Sequence, residues 1–213
     1  MNKTSKMRPV NQPPGHYLKL YFSKKGGIHH LFHKRRIDSL LSYVEPGSSL
    51  LDVGCGSGVL LYLAHKRRGC EVSGADIRPE CVKYASGVCK DCKVYCTDVL
   101  KMKLDKQFDI VVCSDVIEHF TRDERGKILS VLDRHLKKGG RLILSFPSLR
   151  YLRFVEPLLK VYRRITSPGV VFDDEEFHAL VSFKEVQSRL RGYETIKKAS
   201  CCLGLINMVV LRK

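Results

Sequence analysis

Leu50-Leu51-Asp52-Val53-Gly54-Cys55-Gly56-Ser57-Gly58 joins an apolar strand to three glycines at alternate positions and then opens onto a helical run. Ser49 to Val53 reads as the strand. The helix begins near Val59, carries Leu60, Leu61, Leu63 and Ala64, and reaches Arg67-Arg68 before Gly69 can end it. Glycine at 54, 56 and 58 permits backbone angles and a closeness that a Cβ forbids, so a ligand can lie on the loop and meet the helix N-terminus. A lone glycine triplet also occurs in ordinary turns. Here Asp76 closes a second apolar strand, Glu71 to Ala75, where a carboxylate accepts hydrogen bonds from ribose hydroxyls. Loop and acid together point to a nucleoside-type ligand.

The spacing is G-x-G-x-G, whereas sites for a dinucleotide pyrophosphate use G-x-G-x-x-G. Asp52, just before the loop, suits a cationic amino-acid moiety better than a phosphate. Strands and helices then alternate: strand 48–53, helix 59–68, strand 71–75, helix 79–86, strand 93–96, strand 108–113, helix 122–136, strand 141–146. Such alternation predicts an α/β fold, a parallel sheet with helices on both faces. Helix 182–191 and strands 193–199 and 206–211 complete the pattern. Before it, Glu45-Pro46-Gly47 ends a helix over 29–44, with Leu31, Phe32, Ile37, Leu40 and Leu41 near one stripe and Lys34-Arg35-Arg36 exposed.

The glycine string resembles motif I of class I S-adenosylmethionine-dependent methyltransferases, and Gly74-Ala75-Asp76-Ile77 resembles their acidic second motif. Thr97-Asp98-Val99 is similar to the segment that contacts adenine there. Phe108 to Ser114 is similar to the fourth strand, and Leu136 to Leu144 to the turn and fifth strand. The resemblance implies a Rossmann-like seven-stranded sheet with an antiparallel last strand inserted between the fifth and sixth. It also implies S-adenosyl-L-methionine as cofactor, held by Asp52, Gly54, Cys55, Gly56, Gly58, Asp76, Ile77, Asp98, Val99 and Ser114.

After the fourth strand, Ser114-Asp115-Val116-Ile117-Glu118-His119-Phe120 places polar groups where an open α/β sheet binds ligands. An oxygen nucleophile needs its proton removed or its pKa lowered by a base or a metal. His119 is the candidate base, with Glu118 beside it. The string resembles the E-x-x-E-H motif of ubiquinone-biosynthesis O-methyltransferases and of small-RNA 2′-O-methyltransferases, where carboxylates and histidine bind a divalent metal. A corresponding metal set would be Asp115, Glu118, His119 and His178, with the shorter Asp115 departing from the motif. The function expected is methyl transfer to a small or lipid-linked acceptor at oxygen. The alternatives are RNA 2′-O-methylation and a noncatalytic, membrane-associated or partner-binding scaffold.

The length of 213 residues suits one core with appendages: a basic N-terminal arm and helix over 1–45, and a methyltransferase domain over 46–213 with a helical insertion at about 147–170. The formal net charge of +16 argues for an anionic partner or surface. Residues 1–45 hold nine Lys/Arg against Asp38 and Glu45, and residues 149–165 hold five against Glu156. In the insertion, Arg150, Arg153, Pro157, Lys160 and Arg164 fall on one helical face and Leu152, Val155, Leu159 and Tyr162 on another. Related ubiquinone-pathway methyltransferases carry a membrane-associating insertion at this place, so the resemblance implies an anionic membrane surface as partner, with RNA the lesser candidate. No apolar run reaches the ~20 residues of a membrane span, and the N-terminus lacks a secretory core. The expected location is cytoplasmic or peripheral to a membrane.

Cys55, Cys70 and Cys113 read as reduced core residues. Cys81, Cys89, Cys92 and Cys96 leave open a metal site, although their spacing matches no standard zinc pattern. Tyr17, Tyr21 and Phe22 interleave with Lys19, Lys24 and Lys25, a mixture that suits a lid on the cofactor, a platform for a base or a membrane contact.

Overall fold

The computed structural model describes residues 13–23, 27–158 and 180–213. Its elements are α1 (His16–Phe22), α2 (Gly27–Leu41), β1 (Ser49–Val53), α3 (Val59–Arg68), β2 (Glu71–Asp76), α4 (Pro79–Val88), β3 (Lys93–Cys96), β4 (Phe108–Ser114), α5 (Arg122–Arg134), β5 (Leu136–Pro147), α6 (Phe183–Arg189), β6 (Glu194–Cys201) and β7 (Ile206–Arg212). They form one seven-stranded sheet in the order β3-β2-β1-β4-β5-β7-β6. The first five strands are parallel, and β7 runs antiparallel to both neighbours. The order reverses between β1 and β4, the place where open sheets of this kind bind ligands.

All five residues of β1 are buried, as a central strand covered on both faces requires. Alternate residues serve opposite cores. Leu50, Ile110, Val112, Ile143 and Val210 pack with α2, α3 and α4. Leu51, Val111, Cys113, Leu142, Leu144 and Val209 pack with α5 and α6. Helix α5 starts from a reciprocal capping box between Thr121 and Glu124.

Several expectations shift in detail. β5 begins at Leu136 rather than 141, because Leu136 already pairs with Phe108. The register then slips so that Ile110 faces Arg141, and Lys137 to Gly140 bulge outward with Gly139 at φ 78°. Helix α1 precedes the expected helix, over residues to which the sequence pattern assigned no element. Its Tyr21 is buried and donates to Asp38 Oδ1 at 2.5 Å, while Arg67 Nη1 donates to Tyr21 Oη at 3.1 Å. Within α2, Leu31 is exposed, and Arg36 is not the solvated residue expected. Position 36 lies one turn from Phe32 and Leu40, on the side that faces the sheet edge. The insertion is described to Leu158. A π-helical turn, Tyr151–Val155, half-buries Leu152 and Val155 and leaves Arg153 and Phe154 exposed. Lys160, Arg164, Leu159 and Tyr162 lie outside the described residues.

Candidate functional site

The carboxyl ends of β1, β2 and β4 converge where the strand order reverses. Leaving β1, the chain turns over three left-handed glycines, with φ 76° at Gly54, 50° at Gly56 and 75° at Gly58. Each glycine answers a different demand. A Cβ on Gly54 would strike Val116, and one on Gly58 would lie 2.9 Å from Ala85 Cβ, whereas nothing stands within 4 Å of that position on Gly56. Gly56 therefore faces open space, and its neighbours let the loop pack tightly beneath it. Gly54 N and Cys55 N both donate to Ala75 O, at 2.7 and 3.0 Å, which ties the loop to β2.

Asp76, at the end of β2, binds the same loop. Its Oδ2 accepts from Gly56 N at 2.8 Å and its Oδ1 from Arg78 N at 2.9 Å. The carboxylate is thus held rigidly beside the open face of Gly56, with lone pairs left for a ligand. Asp52 is buried behind the loop. Burial raises its carboxyl to about 7, the negative Asp76 adds to the rise, and Arg36 opposes it. Ile77 is exposed at the rim, Val99 is buried, and Asp98 Oδ1 accepts from Leu100 N at 2.9 Å at the end of β3. The structure thus brings the sequence-predicted cofactor residues to one edge. Cys55 is buried and its thiol is pushed well up by burial, so it acts as filler under the loop.

At the end of β4, Ser114 Oγ and Ser145 Oγ lie 2.7 Å apart, and Ser145 Oγ donates to Asp115 Oδ1 at 3.2 Å. Asp115 adopts φ 54° and forms an ion pair with Arg36. Glu118 is buried and His119 half-buried in the 3-10 turn Ile117–His119 that follows. The expected metal set is not assembled among the described residues. Asp115 is engaged by Arg36 and Ser145, no group of three or more His, Cys, Asp or Glu is placed to hold a metal, and His178 lies outside the described residues. The cysteine cluster also resolves differently from a metal site. Cys89 and Cys92 are bonded to each other, Cys81 is buried and Cys96 is exposed.

One contributor escapes a reading of the sequence, and a second is anticipated only as one of several roles for its segment. Arg36 enters from α2, and its side chain is only 14% exposed. Gly15 N donates to Ser57 Oγ at 3.0 Å, so the segment leading into α1 lies directly on the glycine loop. Gly15 sits at φ 85° against Tyr84, where a Cβ would run into the ring. The advance sign of this cover is the run of Tyr17, Tyr21 and Phe22 among lysines, for which a lid is one of three expected roles.

The strand order, the glycine loop and the acids that end β1 and β2 define a nucleoside-binding, Rossmann-like sheet. Residues 51–144 match the methyltransferase domain family. In sequence, the chain is 35% identical over 123 residues to the ubiquinone biosynthesis O-methyltransferase of Xanthomonas axonopodis pv. citri, a match covering 54% of this chain and 50% of that protein. The corresponding protein of Xylella fastidiosa is 32% identical over 123 residues, covering 54% of this chain and 49% of its own. The chain spans about half the length of the curated relatives it matches. In structure, it is similar to magnesium protoporphyrin IX methyltransferase from Synechocystis with bound SAH, with a TM-score of 0.69, 18% identity and 92% of each chain covered. It is also similar to the N-methyltransferase NodS from Bradyrhizobium japonicum, with a TM-score of 0.65, 14% identity, and 85% of this chain and 87% of that one covered. These two likenesses carry the fold.

Proposed function

We propose that the chain is an S-adenosyl-L-methionine-dependent methyltransferase that acts on oxygen of a small or lipid-linked acceptor. The observation that carries the reading is Asp76, fixed by Gly56 N and Arg78 N beside the open face of the glycine loop. When bound, S-adenosyl-L-methionine supplies a methyl group on a sulfonium, whose leaving group is already activated. Alignment and exclusion of water are then the protein's main tasks.

Asp76 accepts the ribose hydroxyls, and Asp98, Ile77 and Val99 border the adenine. Asp52 faces the cationic amino group, Arg36 faces the carboxylate, and Gly54, Cys55, Gly56 and Gly58 line the floor. Ser114 closes the β4 side. The segment at Gly15 and Ser57 covers the loop and keeps water from it. At the acceptor side, His119 takes the hydroxyl proton, with Glu118 buried beside it in the same turn. The donor set gives no metal centre among the described residues, so no step passes through one.

Residues 46–213 serve as the catalytic unit and residues 1–45 as its arm and cover. A lipid-linked acceptor at an anionic surface is the finer reading, supported by exposed Leu149, Phe154 and Leu158 beside Arg150 and Arg153. The RNA and noncatalytic readings lack such support. No helix among the described residues is long and apolar enough to cross a membrane. Calorimetric titration with S-adenosylhomocysteine tests the cofactor site. Micromolar binding that Asp76→Ala weakens by about 1–3 kcal/mol is expected, from the loss of charge-assisted hydrogen bonds. Unchanged affinity in Asp76→Ala contradicts the site.

A further inference from the structure

Arg125, in the first turn of α5, is a buried cation on the acceptor side of the sheet, 4% exposed. Its Nε donates to Ile117 O at 3.2 Å and to Phe120 O at 3.0 Å, the carbonyls on either side of Glu118 and His119. Its Nη1 donates to Leu180 O at 3.2 Å and to Glu185 Oε1 and Oε2 at 3.3 and 3.1 Å. One guanidinium thus joins the turn after β4, the segment that returns from the insertion and the first turn of α6.

The turn needs such a hold. Its own backbone bonds are those of a 3-10 turn, from His119 N to Val116 O at 3.1 Å and from Phe120 N to Ile117 O at 3.3 Å, a geometry poorer than that of an α-helix. Ile117 and Phe120 are buried in the core that α5 and α6 share, while His119 is half-buried. Fixing the two flanking residues therefore fixes where the imidazole between them can point. A buried guanidinium is costly unless its charge is matched, and Glu185, with a side chain 12% exposed, matches it. A tie between α5 and α6 would need Glu185 alone, and Arg189 Nη2 makes a separate one to Arg122 O at 2.8 Å. What sets Arg125 apart is its pair of bonds to the carbonyls around His119. A planar fork serves those carbonyls with one nitrogen and Glu185 with another, which the single ammonium of a lysine cannot do.

We propose that Arg125 is a positioning residue for methyl transfer. It holds the Ile117–His119 turn, and with it the His119 imidazole, at a fixed place beyond the carboxyl end of β4, and it locks that place to the segment entering α6. The inference rests on the reading that His119 takes the acceptor proton. Arg125 itself touches neither cofactor nor acceptor, so its loss should alter the alignment of the base and leave the cofactor half of the site intact.

NMR of the full chain carrying isotope-labelled histidine tests this through the ring signals of His119 and His135, each assigned by its own substitution. His135 closes α5 at the far end, its Nδ1 2.7 Å from Val131 O and its Nε2 accepting from Leu104 N at 3.0 Å, and so reports on the helix as a whole. Arg125→Lys should move the His119 signal and leave that of His135 in place. Arg189→Lys, which loosens the same two helices at Arg122 O, should move neither. Glu185→Gln keeps the bonds from Nε and removes the charge that anchors the guanidinium; it should move the His119 signal in the same direction by less, and it serves if Arg125→Lys does not fold. Affinity of Arg125→Lys for S-adenosylhomocysteine should stay within about twofold of wild type, while label transfer from saturating S-adenosyl-L-methionine into a total extract falls at least about tenfold. A His119 signal that stays in place in both Arg125→Lys and Glu185→Gln, or that moves as far in Arg189→Lys, overturns the proposal, as does full transfer by Arg125→Lys. The ring measurement decides the positioning whether or not the wild-type chain transfers label, so its failure is distinct from failure of the proposed function.

Discussion

Replacing Asp52 by Asn should remove a pH dependence of cofactor binding that the buried carboxylate imposes. Burial, reinforced by Asp76 and opposed by Arg36, places the Asp52 carboxyl at about 7. If the ionised form is the one that receives the cationic amino group, affinity follows the ionised fraction, roughly one-tenth at pH 6 and nine-tenths at pH 8. S-adenosylhomocysteine should then bind about tenfold more tightly at the higher pH, close to 1.4 kcal/mol. Titration calorimetry at both values, in buffers of different ionisation enthalpy, should record proton release on binding to the wild type at pH 6. Asp52→Asn should bind more weakly at pH 8, with a flat profile and no Asp52-linked release. A wild-type profile that stays flat, or a variant that keeps the slope, refutes the assignment.

The same carboxyl is expected to affect folding. Its pKa in the folded chain is raised from 3.8 to about 7, so the folded state holds the proton more tightly than the unfolded chain. Its contribution is complete below about pH 4 and is lost as pH rises through about 7, a difference of about 4 kcal/mol that chemical denaturation should follow and Asp52→Asn should flatten. Gly58→Ala should cost about 1–3 kcal/mol of stability, since φ is 75° and Ala85 Cβ lies 2.9 Å from the added atom; an unchanged denaturation midpoint contradicts this. Reduction of the Cys89–Cys92 bond should cost about 2 kcal/mol through the freedom returned to the unfolded chain, read in the presence and absence of reductant. Vesicles of anionic lipid should sediment the full chain, and Leu149→Ser/Phe154→Ser/Leu158→Ser should weaken that binding at least about tenfold, each exposed apolar group contributing about 1 kcal/mol or more.

The sheet was legible because its signals are local. Alternating apolar runs with glycine punctuation mark each strand and turn, and Asp52 and Asp76 follow from their places at strand ends. The register slip in β5 was not legible, since Lys137 to Gly140 reads as a turn and only pairing with Phe108 reveals a bulge. Arg36 was hidden by its company. In a Lys-Arg-Arg run a solvated face is the default, and the partner that draws this one inward, Asp115, lies 79 positions away on another element. Helix α1 is short, and its place depends on the bonds of Tyr21 to Asp38 and Gly15 to Ser57, which no periodicity announces. The D-V-I-E-H string has the composition of a metal motif, yet composition does not fix where Asp115 turns. Its left-handed backbone and its pairing with Arg36 are tertiary facts.

Transfer of labelled methyl from S-adenosyl-L-methionine into a total extract, separated into metabolite, lipid and RNA fractions, tests the central claim most directly. Label should appear in the small-molecule or lipid fraction with the wild-type chain. It should fall at least about tenfold with Asp76→Ala at subsaturating cofactor, in line with 1.4 kcal/mol or more of lost binding. A wild-type chain that binds the cofactor and labels no fraction, or labels RNA alone, would contradict it.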